Sequence, residues 1–351
     1  MTKINHNLSI LIPAWNSEKY LESGINSLLK NDYDHYKIYL IAGGSDNTFE
    51  ISKILEKANQ EKIKVLEQKV PNKNRALNIA IREVDGEIIV LTDIDCIFPK
   101  DWLERINEIF QNSENNVITG YHLPFESDKS SLAEYLRIQS GYKIISDPEI
   151  SVNTLTGANT AFRKEIFEKK IGEFDENIKI GTDRKLGEDF TQKKENIHFI
   201  RNMYIYTEYF SNSYRYYVKR ETRWLRMMLY HFKKRQVLDK RYGIGKILLT
   251  LFVGLFRILY PIMAIFTSLF FFQFNYWLLF LSPWFLYYGF FLIKHFFKLR
   301  KMSKAIFAEL KLNFKHRKAY KVVPLLFFLN GIVVLKSYFG YLNPRTRTKW
   351  I

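Results

Sequence analysis

Apolar and polar positions change over in short blocks along the first hundred residues. Leu8–Ile12 is an apolar run ended by Pro13, which predicts a strand. Ser17–Lys30 sets Tyr20, Leu21, Ile25 and Leu28 on one helical face. Tyr36–Ala42 predicts a second strand, followed by the turn Gly43-Gly44-Ser45-Asp46. Asp46 is placed to cap a helix over Thr48–Gln60 by accepting its free backbone N–H groups. Ile63–Gln68 predicts a strand, Asn74–Glu83 a helix, and Glu87–Thr92 a strand ending at Asp93-Ile94-Asp95. Such alternation predicts an α/β fold with a mainly parallel sheet covered by helices on both faces. Ligands of such sheets sit outside the carboxyl ends of the strands, where the loops at Pro13, Gly43 and Asp93 fall.

The pattern changes near residue 245. Lys246–Phe272 carries only Lys246 and Arg257 as charges, and Phe274–Phe297 only Lys294. About 20 apolar residues span a bilayer, so these runs predict a transmembrane helical hairpin turning at Gln273–Asn275. A third run, Val322–Leu342, is interrupted by Pro324, Asn330, Gly331 and Lys336, and is read as spanning, re-entrant or interfacial. Between them, Lys298–Lys321 holds nine Lys/Arg and one Glu, which predicts a cytoplasmic loop. A two-helix hairpin then returns the N-terminal part to the same side. Met1–Asn7 is polar and reads as no signal peptide. The expected organisation is a catalytic domain over 1–212, a basic interfacial segment over 213–245, the hairpin over 246–297, the basic loop over 298–321, and a third membrane or interfacial helix with a tail over 322–351.

Charge sharpens the division. Of 351 residues with a net charge of +17, residues 1–212 carry −6 and residues 213–351 carry +23. Such asymmetry fits nucleic acid or a membrane surface. The apolar runs favour the membrane and exclude nucleic acid as a partner. An apolar fraction of 47% excludes a disordered chain, and the single cysteine, Cys96, excludes a disulfide framework.

At this point several motifs resemble glycosyltransferase family 2. They are Leu8–Asn16, Gly44–Thr48, Asn72–Asn78, Asp93-Ile94-Asp95, Gly157-Ala158-Asn159, Gly187-Glu188-Asp189-Phe190 and Arg220-Glu221-Thr222-Arg223-Trp224. The resemblance covers roughly residues 8–235. It implies a GT-A fold (Rossmann-related), a nucleotide-sugar donor, a divalent metal and inversion at the sugar carbon. Membrane tails are common among members that act on lipid-linked or polysaccharide acceptors. One departure stands out: where most of the family has paired aspartates before Gly-Ser, this chain has Ala42 and Gly43.

The chemistry gives these residues expected roles. Asp93 and Asp95 at a strand end can hold Mn²⁺ or Mg²⁺ while a diphosphate fills other positions. The resemblance gives Asp95 the metal and Asp93 a metal or ribose role. Pro13, Ala14, Asn16, Gly44, Lys73 and Arg75 are the expected donor contacts, the last two facing phosphate near a helix start. Asp189 matches the family's general base, with Glu188 as helper, while Asp175 and Asp183 read as turn residues. Gly157, Glu188, Arg220, Arg223 and Trp224 are assigned to the acceptor or the diphosphate. Arg supplies a bidentate fork and Trp a flat face for a sugar, or else both anchor the membrane interface. The expected activity is transfer of one sugar to a lipid-linked or polysaccharide acceptor at the cytoplasmic face of the cell membrane by a multi-pass protein. Two alternatives are a polyprenyl-phosphate sugar synthase and a catalytically silent membrane scaffold.

Overall fold

A computed structural model describes residues 5–125, 129–146, 149–151, 155–178, 181–207, 213–233, 244–271 and 277–343. The chain divides into two compact units, one of residues 1–126 with 146–209, the other of residues 127–145 with 210–351.

The first unit opens β1(Leu8–Trp15), α1(Glu18–Leu29), β2(Tyr36–Gly43), α2(Thr48–Ala58), β3(Ile63–Glu67), α3(Lys73–Ile81) and β4(Ile88–Thr92), as the periodicity predicts. It continues with β5(Cys96–Ile97), α4(Trp102–Asn112) and β6(Val117–Pro124). After α5(Ser131–Ser146) come β7(Ile150–Ser151), β8(Asn159–Arg163), α6(Lys164–Lys170), α7(Thr182–Gln192) and β9(Ile197–Thr207). The strands form one sheet in the order β3-β2-β1-β4-β8-β6-β9-β5, with β7 on β9. The β3-β2-β1-β4 half is parallel, while β8 runs antiparallel to both of its neighbours.

Side-chain alternation explains the two-sided cover. Ile10, Ile12, Ile38, Leu40, Ile88 and Val90 face one core with Leu21 and Ile25 of α1 and Trp102 and Ile106 of α4. Leu11, Tyr39, Ile41, Ile89 and Leu91 face the other, with Ala76 and Leu77 of α3, Phe167 of α6 and Leu186 and Phe190 of α7. All five residues of β4 are buried and four are apolar, so this central strand delivers Asp93 to the carboxyl end of the sheet. Asp46 caps as expected and does more. Its Oδ1 accepts from Thr48 N at 3.1 Å and its Oδ2 from Glu18 N at 3.2 Å, so one carboxylate serves the starts of α1 and α2.

The second unit is helical, with α5 joined by α8(Tyr214–Lys233), α9(Ile244–Phe271), α10(Trp277–Leu310), α11(His316–Tyr320) and α12(Val323–Leu342). Placing α5 here corrects the assignment of all residues to 212 to one domain. Leu132 and Leu136 of α5 pack with Tyr217, Val218 and Leu326, and Ile138 packs with Trp284, Ile306 and Phe327. Two described helices are long and apolar enough to cross a membrane, Leu248–Phe270 and Val323–Leu342. The latter is the run that looked interrupted. Pro324 sits in the first turn, where its missing N–H costs nothing, and Asn330 Oδ1 accepts from the Tyr217 hydroxyl at 2.9 Å. Gly331 permits a close crossing with α9: a Cβ there would lie 2.5 Å from Ile258 and 3.2 Å from the Gly254 carbonyl. The expected second arm of the hairpin is instead part of a 34-residue helix that continues to Leu310. Residues 298–310 of the expected basic loop are therefore helical. The sequence there, Lys298–Leu310, lacks proline and glycine, so nothing breaks the helix begun in the apolar run. The expected turn at Gln273–Asn275 lies outside the described residues.

Candidate active site

The carboxyl ends of β1, β2 and β4 bring three loops together. Asn16 takes a left-handed backbone, φ 50°, which asparagine tolerates, and its Oδ1 accepts from Ser45 N at 2.6 Å. Gly44, φ 128°, lies so close that a Cβ there would meet Asn16 Oδ1 at 2.1 Å. Asn16 and Gly44 thus lock the β1 and β2 loops to each other. Ala14 is fully buried beside Ala42, which leaves only its backbone for a donor, while Pro13 is half-buried. Gly43 is obligatory by contact, since a Cβ would meet the Gln68 carbonyl at 2.0 Å.

Lys73, at the start of α3, is paired through its ammonium to the Asp93 carboxylate. Burial alone would lower the Lys73 pKa, but Asp93, then Asp183 and Asp95, together hold it above the usual range. The Asp95 carboxyl is pushed up to about 6, mainly by burial and then by the Asp93 charge, against a smaller pull from Lys73. Cys96 is buried and its thiol donates to Asp95 Oδ1 at 3.8 Å. Among the described residues, no three carboxylate, histidine or cysteine side chains form a ready-made metal cage. A divalent ion would find two neighbouring half-buried carboxylates, of which Asp95 is short of compensating charge. That donor set suits an ion whose remaining positions are filled by substrate phosphates.

Asp183 is the residue that sequence reading passed over. It lies in the first turn of α7, after Gly181 in a left-handed conformation, φ 84°. Three asparagines on α3 bring it there. Asn72 Nδ2 donates to the Glu176 carbonyl at 2.9 Å, and Asn78 Nδ2 to that of Phe174 at 2.9 Å. Asn74 Nδ2 donates to the Asp175 carbonyl at 2.6 Å, while its Oδ1 accepts from the Thr182 hydroxyl at 2.7 Å. The loop before α7 is thereby sewn to the helix that carries Lys73. Gly157 completes the fit: a Cβ there would lie 3.0 Å from Asp183 Cβ. The Gly157 loop is held to the end of β4 by Thr92 Oγ1, which donates to the Ala158 carbonyl at 2.7 Å. Lys73, Asp93, Asp95, Asp183 and Gly157 therefore form one cluster.

The other expected residues are disposed differently. Asp189 stands six residues along α7 from Asp183, about 9 Å of rise, and its carboxylate is paired with Lys185. Glu188 is buried and accepts from Arg184 Nε at 3.0 Å; burial raises its pKa against the pull of Arg184 and Lys185. Arg75 is exposed on α3, and its backbone N–H is taken by the N-cap Asn72 at 3.1 Å. Asn159, from the Gly-Ala-Asn motif, is a structural knot. It accepts from Trp102 Nε1 at 3.0 Å and donates to the Tyr121 and Met203 carbonyls. Arg220, Arg223 and Trp224 belong to α8 in the helical unit. Arg220 is bonded to Glu221 at 2.6 and 3.0 Å, and Trp224 is 44% exposed. The sequence did hold a signal for Asp183. Leu186 and Phe190 are apolar at i,i+4, so a helix burying both starts near residue 182, with Asp183 in its first turn and Asp189 in its last.

The model of the family described as glycosyl transferase family 2 matches residues 9–170. An uncharacterized glycosyltransferase of Nostoc sp. is 28% identical over 173 residues, 46% of this chain and 52% of that protein. The uncharacterized glycosyltransferase EpsJ of Bacillus subtilis is 25% identical over 213 residues, 57% of this chain and 61% of that protein. The chain thus spans less than two thirds of the length of either relative. Among solved structures, a mannosyltransferase from Pyrobaculum calidifontis in complex with GDP-Man and Mn²⁺ superposes with a TM-score of 0.54 at 12% identity. It covers 97% of this chain and 88% of that one, a likeness of fold. Residues 9–170 are thus similar to glycosyl transferase family 2, and the sheet that they help to build has a GT-A-like fold.

Proposed function

We propose that the sheet unit transfers one sugar, with inversion, from a nucleotide-sugar donor to a lipid-linked or glycan acceptor at the cytoplasmic face of the cell membrane. The observation that carries the reading is the Lys73–Asp93 pair at the end of β4, with Asp95 two residues on and Asp183 set at the start of α7 against Gly157, whose loop is bonded to Thr92. Asp95, with Asp93, would hold Mn²⁺ or Mg²⁺, which when bound neutralises the charge of the departing diphosphate. Lys73 adds a positive charge beside the same phosphates. Asp183 is the base in this reading, in place of Asp189. The acceptor hydroxyl oxygen bonds to the sugar carbon, its proton passes to the Asp183 carboxylate, and the bond from that carbon to the diphosphate breaks. The nucleoside diphosphate leaves with the electron pair. Arg75 is kept as a phosphate contact. The apolar spans Leu248–Phe270 and Val323–Leu342 support a multi-pass membrane placement.

The test is a turnover screen of the full chain in lipid nanodiscs with UDP-, GDP- and dTDP-sugars and Mn²⁺, run beside Asp95→Asn. Metal-dependent release of nucleoside diphosphate by the wild type, lost in Asp95→Asn, supports the reading. Equal release by both proteins, or none with any donor and acceptor, removes it.

A further inference from the structure

The helical unit holds a charge pattern that the transfer chemistry does not use. One outward face of α10 carries Leu286, Phe290, Ile293 and Phe297, each at least 60% exposed. The same face continues with Arg300, Lys301 and Lys304, all exposed. The opposite face of this stretch is held inward by Leu299, Met302 and Ile306, which pack with Ile138 of α5 and Ala319 of α11. The change from apolar to cationic is therefore a change of level along one face. From Leu286 to Phe297 the helix rises about 16 Å. One leaflet of a bilayer's hydrocarbon is about 15 Å deep, half of the whole. The exposed apolar stripe thus matches one leaflet, and the cations begin where its headgroups would lie. Lys294 is one turn short of that level, within the reach of its own four-carbon stem.

A second element adds charge at this level. The Phe296 ring meets those of His316 and Tyr320 at 6.0 and 5.2 Å, which sets α11 beside the boundary. Arg317 is exposed on α11, and Lys321 is exposed just before the apolar run of α12. Burial, and then the charges of Arg317, Arg300 and Lys304, hold the His316 pKa below its usual range, so cations of both helices act on one imidazole.

These cations lack counter-charges. In the sheet unit, lysines meet carboxylates: Lys62 pairs with Asp34, and Lys64 with Glu83. Among the described residues no carboxylate pairs with Arg300, Lys301, Lys304, Arg317 or Lys321. Glu309 is the only acid between residues 298 and 321. Arg300 and Lys304 stand at i,i+4, where like charges destabilise a helix. Positive charge gathered on two packed helices calls for an anion from outside the chain.

We propose that Arg300, Lys301, Lys304, Arg317 and Lys321 bind the phosphate headgroups of acidic membrane lipids, with Leu286, Phe290, Ile293 and Phe297 among the acyl chains of the same leaflet. Basic residues beside a membrane surface attract acidic lipids, and arginine adds a fork that fits phosphate. A lipid suits this face better than a soluble anion, because it offers a partner to the apolar stripe as well as to the cations. The inference rests on the membrane placement in the proposed function and not on the transfer chemistry.

The test uses the full chain with no sugar donor present, so its failure is separate from any failure of transfer. In native mass spectrometry from micelles holding equal amounts of phosphatidylglycerol and phosphatidylcholine, the wild type should retain phosphatidylglycerol about tenfold in preference. The variant Arg300→Gln/Lys301→Gln/Lys304→Gln should fall to within about twofold of parity. The variant Lys30→Gln/Lys57→Gln/Lys69→Gln, which removes the same charge from the sheet unit, should keep the preference. No preference in the wild type, an undiminished preference in the first variant, or an equal loss in both variants overturns the proposal. Loss of the preference on adding millimolar inorganic phosphate overturns the lipid as the source of the anion. In nanodiscs containing phosphatidylglycerol, Phe290→Cys should react with a bulky water-soluble maleimide about tenfold more slowly than Lys304→Cys, both in a Cys96→Ser background. Equal rates overturn the boundary between Phe297 and Arg300, and the proposal with it.

Discussion

The two ends of α7 carry the same chemical group in different settings. Asp183 opens the helix with Gly157 against its Cβ, and its charge helps to raise the Lys73 pKa. Asp189 lies near the other end, and its carboxylate is occupied by Lys185. Only the first is held by other elements, because Asn72, Asn74 and Asn78 of α3 sew the preceding loop in place. A carboxylate becomes a candidate base through what positions it; the letters beside it in the sequence do not decide the matter.

The sharpest way to break this contrast is to neutralise Asp183. Asp183→Asn should lower kcat for sugar transfer about 10²–10⁴-fold with donor KM little changed, as loss of a general base requires. If it keeps more than about a tenth of wild-type kcat, Asp183 is not the base.

Lys73→Met tests the cation that holds the cluster together. Its loss leaves Asp93 and Asp95 without their compensating charge, so donor KM should rise about tenfold, equivalent to ~1.4 kcal/mol. The Mn²⁺ concentration for half-maximal activity should fall or stay level, since a negative charge has been uncovered. A rise in that concentration would show that Lys73 does not act electrostatically on this site.

The tether comes next. Asn74→Ala removes the bonds to Asp175, Ile178 and Thr182. It should cost about 1–3 kcal/mol in thermal unfolding, the range for orphaned buried partners. Transfer should drop several-fold even at temperatures where the protein stays folded. A stability loss with unchanged kcat would mean that the tether shapes the fold and not the base.

The smallest effect is expected at Asp189. Asp189→Asn removes one i,i+4 pair, worth ~0.3–0.5 kcal/mol, and should leave kcat within about threefold. If this variant is inactive while Asp183→Asn is active, the assignment of the two ends reverses.

Much of the parallel half of the sheet was legible because each strand from β1 to β4 is mostly apolar and each intervening helix has a one-sided stripe. Leu8–Trp15 and Ile88–Thr92 are examples, and their ends place Pro13 and Asp93 without further information. What escaped depends on distant partners. Asn74 and Asn78 look like polar residues of an ordinary helix, yet both are buried against a loop a hundred residues away. Asn330 and Gly331 look like interruptions of an apolar run, yet one meets Tyr217 and the other makes room for α9. The place of α5 was equally hidden, since its apolar residues do not form a clean stripe and their companions come from α8, α10 and α12.

The place of α5 bears on how this chain can be cut. It is encoded between β6 and β8, inside the stretch that builds the sheet, but its apolar side chains belong to the helical core. A chain ended after Thr207 would therefore keep the whole sheet and still present Leu132, Leu136 and Ile138 without the residues that cover them. Trimming the helices after Thr207 would leave an aggregation-prone protein, unless α5 were shortened to a polar turn or its buried face recoded. The two units are interleaved in sequence and have no single cut point, so a transplant of the sheet unit must carry a surgical repair in its middle as well as at its end.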